Sequence, residues 1–405
     1  MINIDKIRAD FPILSEKVYG KDLVYFDNGA TTHKPQVVID AVSDFYAKYN
    51  SNIHRGSYYL SNISTQMYEN ARQKVQKFIN AKSEKEVIFT KGTTEGLNLI
   101  ASSFGSLLHK GDEIIISTME HHANIVPWQM LRDRVGIDLK IIPLVDDFQL
   151  DLEAFANLIT EKTKLVSVVH VSNTLGVVNP IEKIIEIAHY KGVPVLIDAA
   201  QSIQHKKIDV QELDCEFLVF SGHKIYAETG IGVLYGKQEW LEKLPPYQGG
   251  GDMIKDVSFE KTEFADLPFK FEAGTTNFVG AHSIAVAIDY LENIGLDKIE
   301  EYERKLYDYA YEKLSKIEDI ELYATSKSNR ISAISFNVKG VHHFDIGSML
   351  DKFGIAVRTG THCTQPLVNS IGIQGTVRAS FSFYNTFKEI DYFIEILPRV
   401  INMFK

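Results

Sequence analysis

The feature of the sequence that most constrains its fold is a regular alternation of short apolar runs with longer helical patterns. Several of the runs are apolar at consecutive positions, which is typical of parallel strands covered on both faces. The order therefore predicts an α/β fold, with a mostly parallel seven-stranded sheet between helices and ligands at the carboxyl ends of its strands. The predicted strands lie at 87–90, 113–117, 140–145, 165–171, 193–198, 217–221 and 232–235, and the predicted helices lie at 94–109, 124–135, 151–160 and 180–191.

The pattern changes after about residue 280, where a long helical stretch over 281–317 is interrupted near Gly295. Shorter strand patterns and a final amphipathic helix from Lys388 follow it. We interpret this part as a smaller α+β domain, and we expect the active cleft between the two domains. The small-domain strands are predicted at 333–338, 355–358 and 377–381. The chain is predicted to divide into three parts. Residues 1–20 form an N-terminal segment that packs with the small domain. Residues 21–290 form the large domain, and residues 291–405 form the small domain.

The composition excludes several classes of protein. The chain has 405 residues, of which 45% are hydrophobic and 24% charged, as in globular proteins rather than disordered ones. A formal net charge of −10 argues against a nucleic-acid or anionic-membrane partner. No apolar run approaches the ~20 residues of a membrane helix. Asp5, Arg8 and Asp10 interrupt the N-terminus where a signal peptide needs an apolar run. We therefore expect a cytoplasmic protein.

The candidate metal ligands do not form a plausible site. Cys215 and Cys363 are the two cysteines, too few for a disulfide framework or a four-cysteine zinc site. His121 and His122 are adjacent, but neighbouring side chains point in different directions, and no third ligand follows at a suitable spacing. The sequence therefore predicts no metal.

The most informative pair of residues is Lys224 and Asp198. Lys224 directly follows a predicted buried strand, and taken alone it is more simply a surface lysine that closes the strand. Asp198 ends another apolar run, where an unpaired carboxylate would be costly to desolvate and therefore needs a cation. With Gln201 and Ser221, these residues resemble the pyridoxal-phosphate (PLP) site of fold-type I enzymes. There the lysine forms the Schiff base, and the aspartate keeps the pyridine nitrogen protonated.

A PLP site also needs a phosphate cradle and a partner for the ring. Thr93 and Thr94 follow a glycine at a predicted helix start, where backbone N–H groups and the helix dipole favour an anion. Threonine is also an ordinary helix cap, so this motif is weak by itself. Ser221 and His223 could supply further phosphate donors. We predict that His122 stacks on the pyridine ring, and the alternative is a residue that caps the loop.

The candidate nucleophile is Cys363, in the predicted small domain. A lone cysteine is usually a small buried hydrophobe. Cys363, however, lies in a polar loop with Arg358 and His362, and positive neighbours lower a thiol pKa. Arg378 could bind a substrate carboxylate through both arms of its guanidinium. Beside the cofactor motifs, we favour Cys363 as the nucleophile, whereas Cys215 has acidic neighbours and is interpreted as structural.

Taken together, these motifs resemble the SufS-type cysteine desulfurases of the class V aminotransferase family nearly from end to end. The resemblance implies the architecture of a fold-type I PLP-dependent transferase, built as a homodimer with two active sites at the subunit interface. It also implies conversion of L-cysteine to L-alanine, with the sulfur carried as a persulfide on Cys363 for iron–sulfur cluster assembly. The segments that carry it lie at 25–30, 52–56, 121–124, 221–224, 271–275 and 358–360.

The same resemblance implies roles for further residues. Thr275 corresponds to a residue that reaches the phosphate of the neighbouring subunit's cofactor, and Gln201 to one that hydrogen-bonds the ring oxygen. Catalysis would rest on four residues, Cys363, Lys224, His122 and Asp198. The predicted substrate-binding residues are Asn173, His54, Arg55, Arg358 and Arg378.

The compact loop before Cys363 resembles the branch of the family that passes sulfur to a dedicated acceptor of SufE or SufU type. Some acceptors exchange a zinc ligand with a histidine that directly precedes the aspartate of a small-domain helix. Here Phe344 precedes Asp345, which favours a SufE-like acceptor. Two alternatives remain: a selenocysteine lyase on the same PLP scaffold, and an interaction scaffold that keeps the fold without the cofactor.

Overall fold

The computed structural model describes residues 2–324 and 329–405. Its strands are β1 Lys17–Val18, β2 Lys21–Asp22, β3 Val24–Tyr25, β4 Val87–Thr90, β5 Glu113–Ser117, β6 Asp138–Ile142, β7 Leu144–Val145, β8 Gln149–Leu150, β9 Thr163–Val169, β10 Val195–Asp198, β11 Phe217–Ser221, β12 Gly232–Gly236, β13 Ile254–Val257, β14 Thr262–Phe264, β15 Ile320–Tyr323, β16 Ala333–Val338, β17 Ile355–Ala356, β18 Arg358–Gly360 and β19 Thr376–Ser380.

The helices alternate with the strands in the first part of the chain. They are α1 Ile4–Ala9, α2 Gln36–Asp44, α3 Tyr59–Phe78, α4 Thr93–Ser103, α5 Val126–Val135, α6 Leu152–Leu158, α7 Ile181–Tyr190, α8 Val210–Leu213, α9 Gln238–Lys243, α10 Phe278–Ile294, α11 Leu296–Leu314, α12 His343–Asp351, α13 Gln365–Ser370 and α14 Phe387–Asn402. Among the described residues, no helix combines the length and the apolar character needed to span a membrane.

The central sheet has seven strands in the order β4-β12-β11-β10-β9-β5-β6. β12 pairs antiparallel with both β11 and β4, whereas β11, β10, β9, β5 and β6 pair with one another in parallel. The prediction of a mostly parallel sheet is therefore confirmed. Several element bounds differ from the prediction by a few residues, and the helix predicted over 94–109 ends at Ser103 and continues as the 3-10 turn Phe104–Leu107.

Both faces of the sheet are covered, which explains the continuous apolar runs. Within β10, Val195 and Ile197 belong to one apolar cluster, and Leu196 between them belongs to the other. Successive side chains of a strand point to opposite faces, so a strand covered on both faces must be apolar at every position. Residues of α3, α7 and α10 contribute to the first cluster, and residues of α4, α5 and α9 contribute to the second.

The small domain is built on a four-stranded sheet in the order β15-β16-β19-β18, with α11, α12 and α14 contributing to its apolar core. One strand pairing crosses the boundary predicted between the domains. β3, which we assigned to the large domain, pairs in parallel with β17 of the small domain, so the start of the chain crosses between the two. This pairing joins residues more than 300 positions apart, which no local pattern specifies.

The N-terminal segment contacts both domains. Arg8 donates a hydrogen bond to the carbonyl of Tyr384 at 2.6 Å and forms an ion pair with Glu389 at 3.0 Å, both in the small domain. Phe11 packs against the ring of Tyr384 and against that of Tyr226, in the large domain. The N-terminal segment therefore connects the two domains through these contacts.

Candidate active site

A cavity lies where the carboxyl ends of the parallel strands face the small domain. With its open mouth it encloses about 700 Å³. Residues of both domains line it. The polar residues in its lining are Thr93, Thr94, His121, Asn173, Asp198, Gln201, Ser221, His223 and Lys224 from the large domain, and Arg358, His362, Cys363 and Arg378 from the small domain.

Lys224 and Asp198 come together because they lie at the carboxyl ends of neighbouring strands. β11 continues into the short 3-10 turn Gly222–Lys224, and Asp198 is the last residue of β10. Burial lowers the pKa of the Lys224 ammonium to about 8, although the Asp198 carboxylate acts in the opposite direction. Burial also raises the pKa of Asp198, whose side chain accepts a hydrogen bond from the Ala200 N–H at 2.9 Å. The amine is thus more easily deprotonated than an exposed lysine.

The turn that carries Lys224 is held through the carbonyl oxygen of His223. Thr32 donates to this oxygen from its N–H at 3.2 Å and from its hydroxyl at 3.1 Å, and the Lys34 ammonium donates at 3.1 Å. Burial lowers the pKa of Lys34 to about 8. The sequence analysis missed this contact, because residues 31–34 lie some 190 positions from the turn that they hold.

The residues predicted to form a phosphate cradle lie together at the start of α4. The Thr93 N–H donates to the Ser221 hydroxyl oxygen at 2.8 Å, and the two hydroxyl oxygens are also 2.8 Å apart. Gly92 has a φ of +146°, and a Cβ there would meet the Ser221 hydroxyl oxygen at 3.2 Å. The first N–H groups of a helix have no partners within it, so this end of α4 offers donors to an anion. The cradle therefore fits a phosphate group.

The residues at the other end of the cavity also fit PLP and an amino-acid substrate. Asp198 is a buried carboxyl group suited to a protonated pyridine nitrogen. Gln201 lines the cavity and donates from its amide nitrogen to the Gly29 carbonyl at 2.7 Å. Among the described residues, the buried Oδ1 of Asn173 and Nε of Arg378 have no hydrogen-bond partner. A substrate would supply partners for such polar atoms.

The structure places His121, rather than His122, in the lining of the cavity. His121 is the N-cap of a 3-10 turn over His122–Asn124, and its Nδ1 accepts a hydrogen bond from the Ala123 N–H. His122 Nε2 instead accepts a hydrogen bond at 3.0 Å from the Gln365 N–H, beyond the Cys363 loop. The prediction that His122 faces the ring therefore does not match the geometry, and we transfer that role to His121. Burial and the charge of Lys224 lower the pKa of His121 to about 3, so its imidazole is neutral.

A buried glutamate fixes the loop that carries His121. Glu120 accepts hydrogen bonds from the Asn124 side chain at 2.7 Å and from the Val169 N–H at 3.0 Å. Burial raises the pKa of Glu120 to about 8. The side-chain oxygen of Asn124 in turn accepts from Trp128 and from Ser167. The sequence analysis did not single out Glu120, since nothing in its local pattern shows that it is buried.

The Cys363 loop has an unusual backbone held by the large domain. His362 and Cys363 have φ values of +52° and +61°, in the left-handed region that side chains rarely adopt. The carbonyl of Cys363 accepts a hydrogen bond from the His122 N–H, and that of His362 accepts one from the Asn173 amide, both at 2.7 Å. These contacts keep the half-buried Cys363 in the cavity lining.

The charge around Cys363 differs from the prediction in one respect. Burial, together with Arg378 and Arg358, lowers the pKa of His362 to about 2, so this imidazole is neutral. The cationic side chains that share the cavity with Cys363 are Arg358, Arg378 and Lys224. The other cysteine, Cys215, is fully buried, and burial raises its thiol pKa to about 12.

Arg378 is fixed in a buried position by two groups. It donates to the carbonyl of Asn173 at 2.7 Å and to the carboxylate of Asp27 at 2.8 Å. The other carboxylate oxygen of Asp27 lies 3.9 Å from Arg358. Asp27 thus orients the two arginines predicted to bind substrate. It belongs to one of the recognised motifs, but its pairing with these residues was not foreseen.

Besides His122, three predicted site residues lie outside the cavity of their own chain. His54 pairs with Glu69 at 3.0 Å, and Arg55 pairs with Asp252 at 2.8 Å. Thr275 lines a different cavity. The predicted role of Thr275 therefore requires a second copy of the chain.

Comparisons with known proteins agree with this geometry. Residues 24–393 match the family described as aminotransferase class-V. A cysteine desulfurase from Escherichia coli strain K12 is 48% identical over 99% of this chain and 98% of its own length. The apo structure of a cysteine desulfurase from Thermococcus onnurineus has a TM-score of 0.95 and 39% identity, and covers 99% of both chains. The cysteine desulfurase CsdA of Escherichia coli has a TM-score of 0.92 and 37% identity, covering 100% of this chain and 99% of that one.

These matches confirm the predicted fold class and family, and they extend over both walls of the cavity. All of the predicted site residues lie within the matched residues 24–393. The chain therefore belongs to the cysteine desulfurases, a group of pyridoxal-phosphate-dependent enzymes within the class V aminotransferase family.

Proposed function

We propose that this chain converts L-cysteine to L-alanine and holds the released sulfur as a persulfide on Cys363. One observation carries the proposal: Cys363 of the small domain and Lys224 of the large domain line the same cavity. Arg358 and Arg378 line it as well, and such cations favour a thiolate and an amino-acid carboxylate.

The residues of the large domain would hold the cofactor. PLP, when bound, supplies an electron sink that stabilises negative charge on the substrate carbon. Lys224 would provide its covalent attachment, and Asp198 would hold a proton on the ring nitrogen. His121 would contact the ring, and Gln201 the ring oxygen. The phosphate would bind to the cradle formed by Thr93, Thr94, Ser221 and His223.

The substrate would be oriented and activated by residues from both domains. Arg378 Nε and the Asn173 side chain, which lack other partners, would bind its carboxylate and neighbouring polar atoms. Lys224 Nζ, whose pKa is lowered to about 8, would take the proton from Cα. Because its Nδ1 accepts from the Ala123 N–H, the neutral imidazole of His121 carries its proton on Nε2 and would donate a hydrogen bond to the substrate sulfur.

Cys363 then completes the transfer. Its thiolate attacks the substrate sulfur, so that an S–S bond forms while the bond from sulfur to Cβ breaks. The electron pair of the broken bond stays with the carbon skeleton, which takes up protons and leaves as L-alanine. The persulfide would be passed to an acceptor protein for iron–sulfur cluster assembly in the cytoplasm.

We infer that the acceptor is of the SufE type. The residue before Asp345 is Phe344, whose side chain is 60% exposed at the start of α12. A phenylalanine cannot bind zinc, so this position offers no ligand for a metal exchanged with the acceptor.

A homodimer would complete the active site. Thr275 lies away from the cavity of its own chain, and the phosphate cradle borders a shallow second cavity lined by Lys91, Tyr247 and Gln248. Tyr58 and Tyr59 are 54% and 74% exposed, as aromatic residues are at interfaces. A second copy of the chain would cover these rings and bring its Thr275 to the phosphate.

The proposal is tested by Cys363→Ala, with Cys215→Ala as the matched control. After incubation with L-cysteine, mass spectrometry should show one added sulfur on residue 363 in the wild type and in the control. The Cys363→Ala variant should keep the visible band of the lysine-bound cofactor but lose L-alanine formation by about a hundredfold or more. Undiminished turnover of L-cysteine would remove Cys363 from the mechanism. Turnover of selenocysteine alone by the wild type would favour the lyase instead.

A further inference from the structure

A fully buried ion pair lies beneath the segment that carries Thr275. The side chains of Arg72 and Glu272 are 0% and 2% exposed. The Arg72 guanidinium donates to both carboxylate oxygens of Glu272, at 2.7 and 2.9 Å. Tyr68 donates its hydroxyl hydrogen to the same carboxylate at 2.7 Å, and the Phe89 N–H donates at 2.8 Å. Glu272 therefore accepts four hydrogen bonds from three residues of two elements, α3 and β4.

These contacts join two parts of the chain that would bind phosphate. Phe89 belongs to β4, which leads directly into Gly92 and the cradle at the start of α4. Glu272 itself lies three residues before Thr275. Tyr68 and Arg72 both belong to α3, which anchors the cluster on the large domain. One carboxylate thus fixes the distance between the cradle and the Thr275 segment.

Stability alone is a weak explanation for such a cluster. A buried ion pair loses much of its attraction to the cost of desolvation, and apolar residues of similar volume often serve as well. What the pair does supply is a defined geometry. The Arg72 guanidinium also lies over the rings of Tyr68 and Phe89, at 5.0 and 4.9 Å, so its direction is fixed from several sides.

We propose that Glu272 is a positioning residue for the cofactor phosphate. Glu272 holds β4, which leads into the phosphate cradle of its own chain, at a fixed distance from Thr275. Thr275 in turn would contact the phosphate bound in the cradle of the second copy. This inference rests on the proposed function, namely PLP bound at a dimer interface. It predicts that loss of Glu272 weakens the binding of the phosphate group specifically. The covalent attachment of the cofactor to Lys224 should remain.

The test compares PLP with pyridoxal, which forms the same link to Lys224 but has no phosphate. Apo-protein is titrated with each compound, and binding is followed by the visible band of the lysine-bound aldehyde. Glu272→Gln should bind PLP about tenfold more weakly than the wild type, with pyridoxal affinity unchanged within about twofold. Tyr68→Phe, which removes one hydrogen bond to Glu272, should show the same selectivity with about a threefold loss.

The matched control is Glu303→Gln. Glu303 is also fully buried, and it pairs with His205 at 2.6 Å. This variant should lose stability without any change in the ratio of the two affinities. Equal losses for PLP and pyridoxal in Glu272→Gln, or no loss in either variant of the cluster, would overturn the inference. If Glu272→Gln does not fold, Tyr68→Phe alone tests the inference, through the same ratio of PLP affinity to pyridoxal affinity. A wild type that binds neither compound would instead refute the proposed function.

Discussion

The two walls of the cavity are built in different ways. On the large-domain wall, Asp198 ends β10 and Lys224 follows β11, and both strands are buried at every position. On the small-domain wall, Cys363 lies in a loop with two successive left-handed residues, and its position depends on hydrogen bonds from His122 and Asn173 across the cleft. The central sheet fixes the large-domain wall, which would bind the cofactor. Contacts between the domains fix the small-domain wall, where Cys363 would take up the sulfur.

This difference separates the reactions of the cofactor from substrate binding and sulfur transfer. Changes in the large-domain wall should abolish every reaction of the cofactor, since that wall would carry both its covalent link and its phosphate cradle. Changes in the small-domain wall should be selective, because they affect substrate binding or sulfur transfer and leave the cofactor in place.

The largest effect is expected for Lys224→Ala. Without the amine there is neither a covalent link to the cofactor nor a base for the Cα proton, so L-alanine formation should fall by about a thousandfold or more. The absorption spectrum should lose the band of the lysine-bound cofactor. A variant that keeps this band would break the assignment of the large-domain wall.

A smaller and selective effect is expected for Arg378→Met. Loss of a charge-assisted contact with the substrate carboxylate should raise KM by roughly ten- to a hundredfold, while the cofactor band remains. Steady-state kinetics and the absorption spectrum check both parts. Loss of the cofactor from this variant would show that the two walls are not separable.

His121→Ala and His122→Ala test which of the two histidines contacts the cofactor ring and which supports the Cys363 loop. His121→Ala should lower kcat by about tenfold and shift the cofactor band, because a ring contact is lost. His122→Ala should leave the band unchanged and affect mainly persulfide formation, since His122 contacts the Cys363 loop. The reverse pattern would restore our original assignment of His122 to the ring.

The smallest effect is a pH dependence confined to the large-domain wall. The Lys224 amine attacks the aldehyde only when unprotonated, and its pKa is lowered from 10.5 to about 8. The rate of PLP capture by apo-protein should therefore rise with pH and level off above about pH 8, as stopped-flow absorbance would show.

Asp198→Asn tests the direction in which the Asp198 carboxylate shifts the Lys224 pKa. The Asp198 carboxylate raises the pKa of Lys224, so its removal should move the midpoint to lower pH. A midpoint near 10.5, or an upward shift in the variant, would contradict a buried amine beside Asp198.

Much of the large-domain wall could be predicted from local patterns. β4, β5 and β11 have the predicted bounds, and Asp198, Ser221 and Lys224 meet because the carboxyl ends of parallel strands share one edge of the sheet. The choice between His121 and His122 could not be predicted in this way. Adjacent residues of a 3-10 turn point in different directions, and the turn alone decides which of them faces the cleft.

The sequence by itself determined the strand order along the chain, the chemical types of the site residues and the family. These follow from periodicity and from motifs short enough to be read along the chain. Only the tertiary structure decided that Asp27 orients Arg378, that Lys34 holds the Lys224 turn and that His362 is neutral. Each of these depends on burial and on contacts between residues far apart in sequence, and such contacts exist only after the chain has folded.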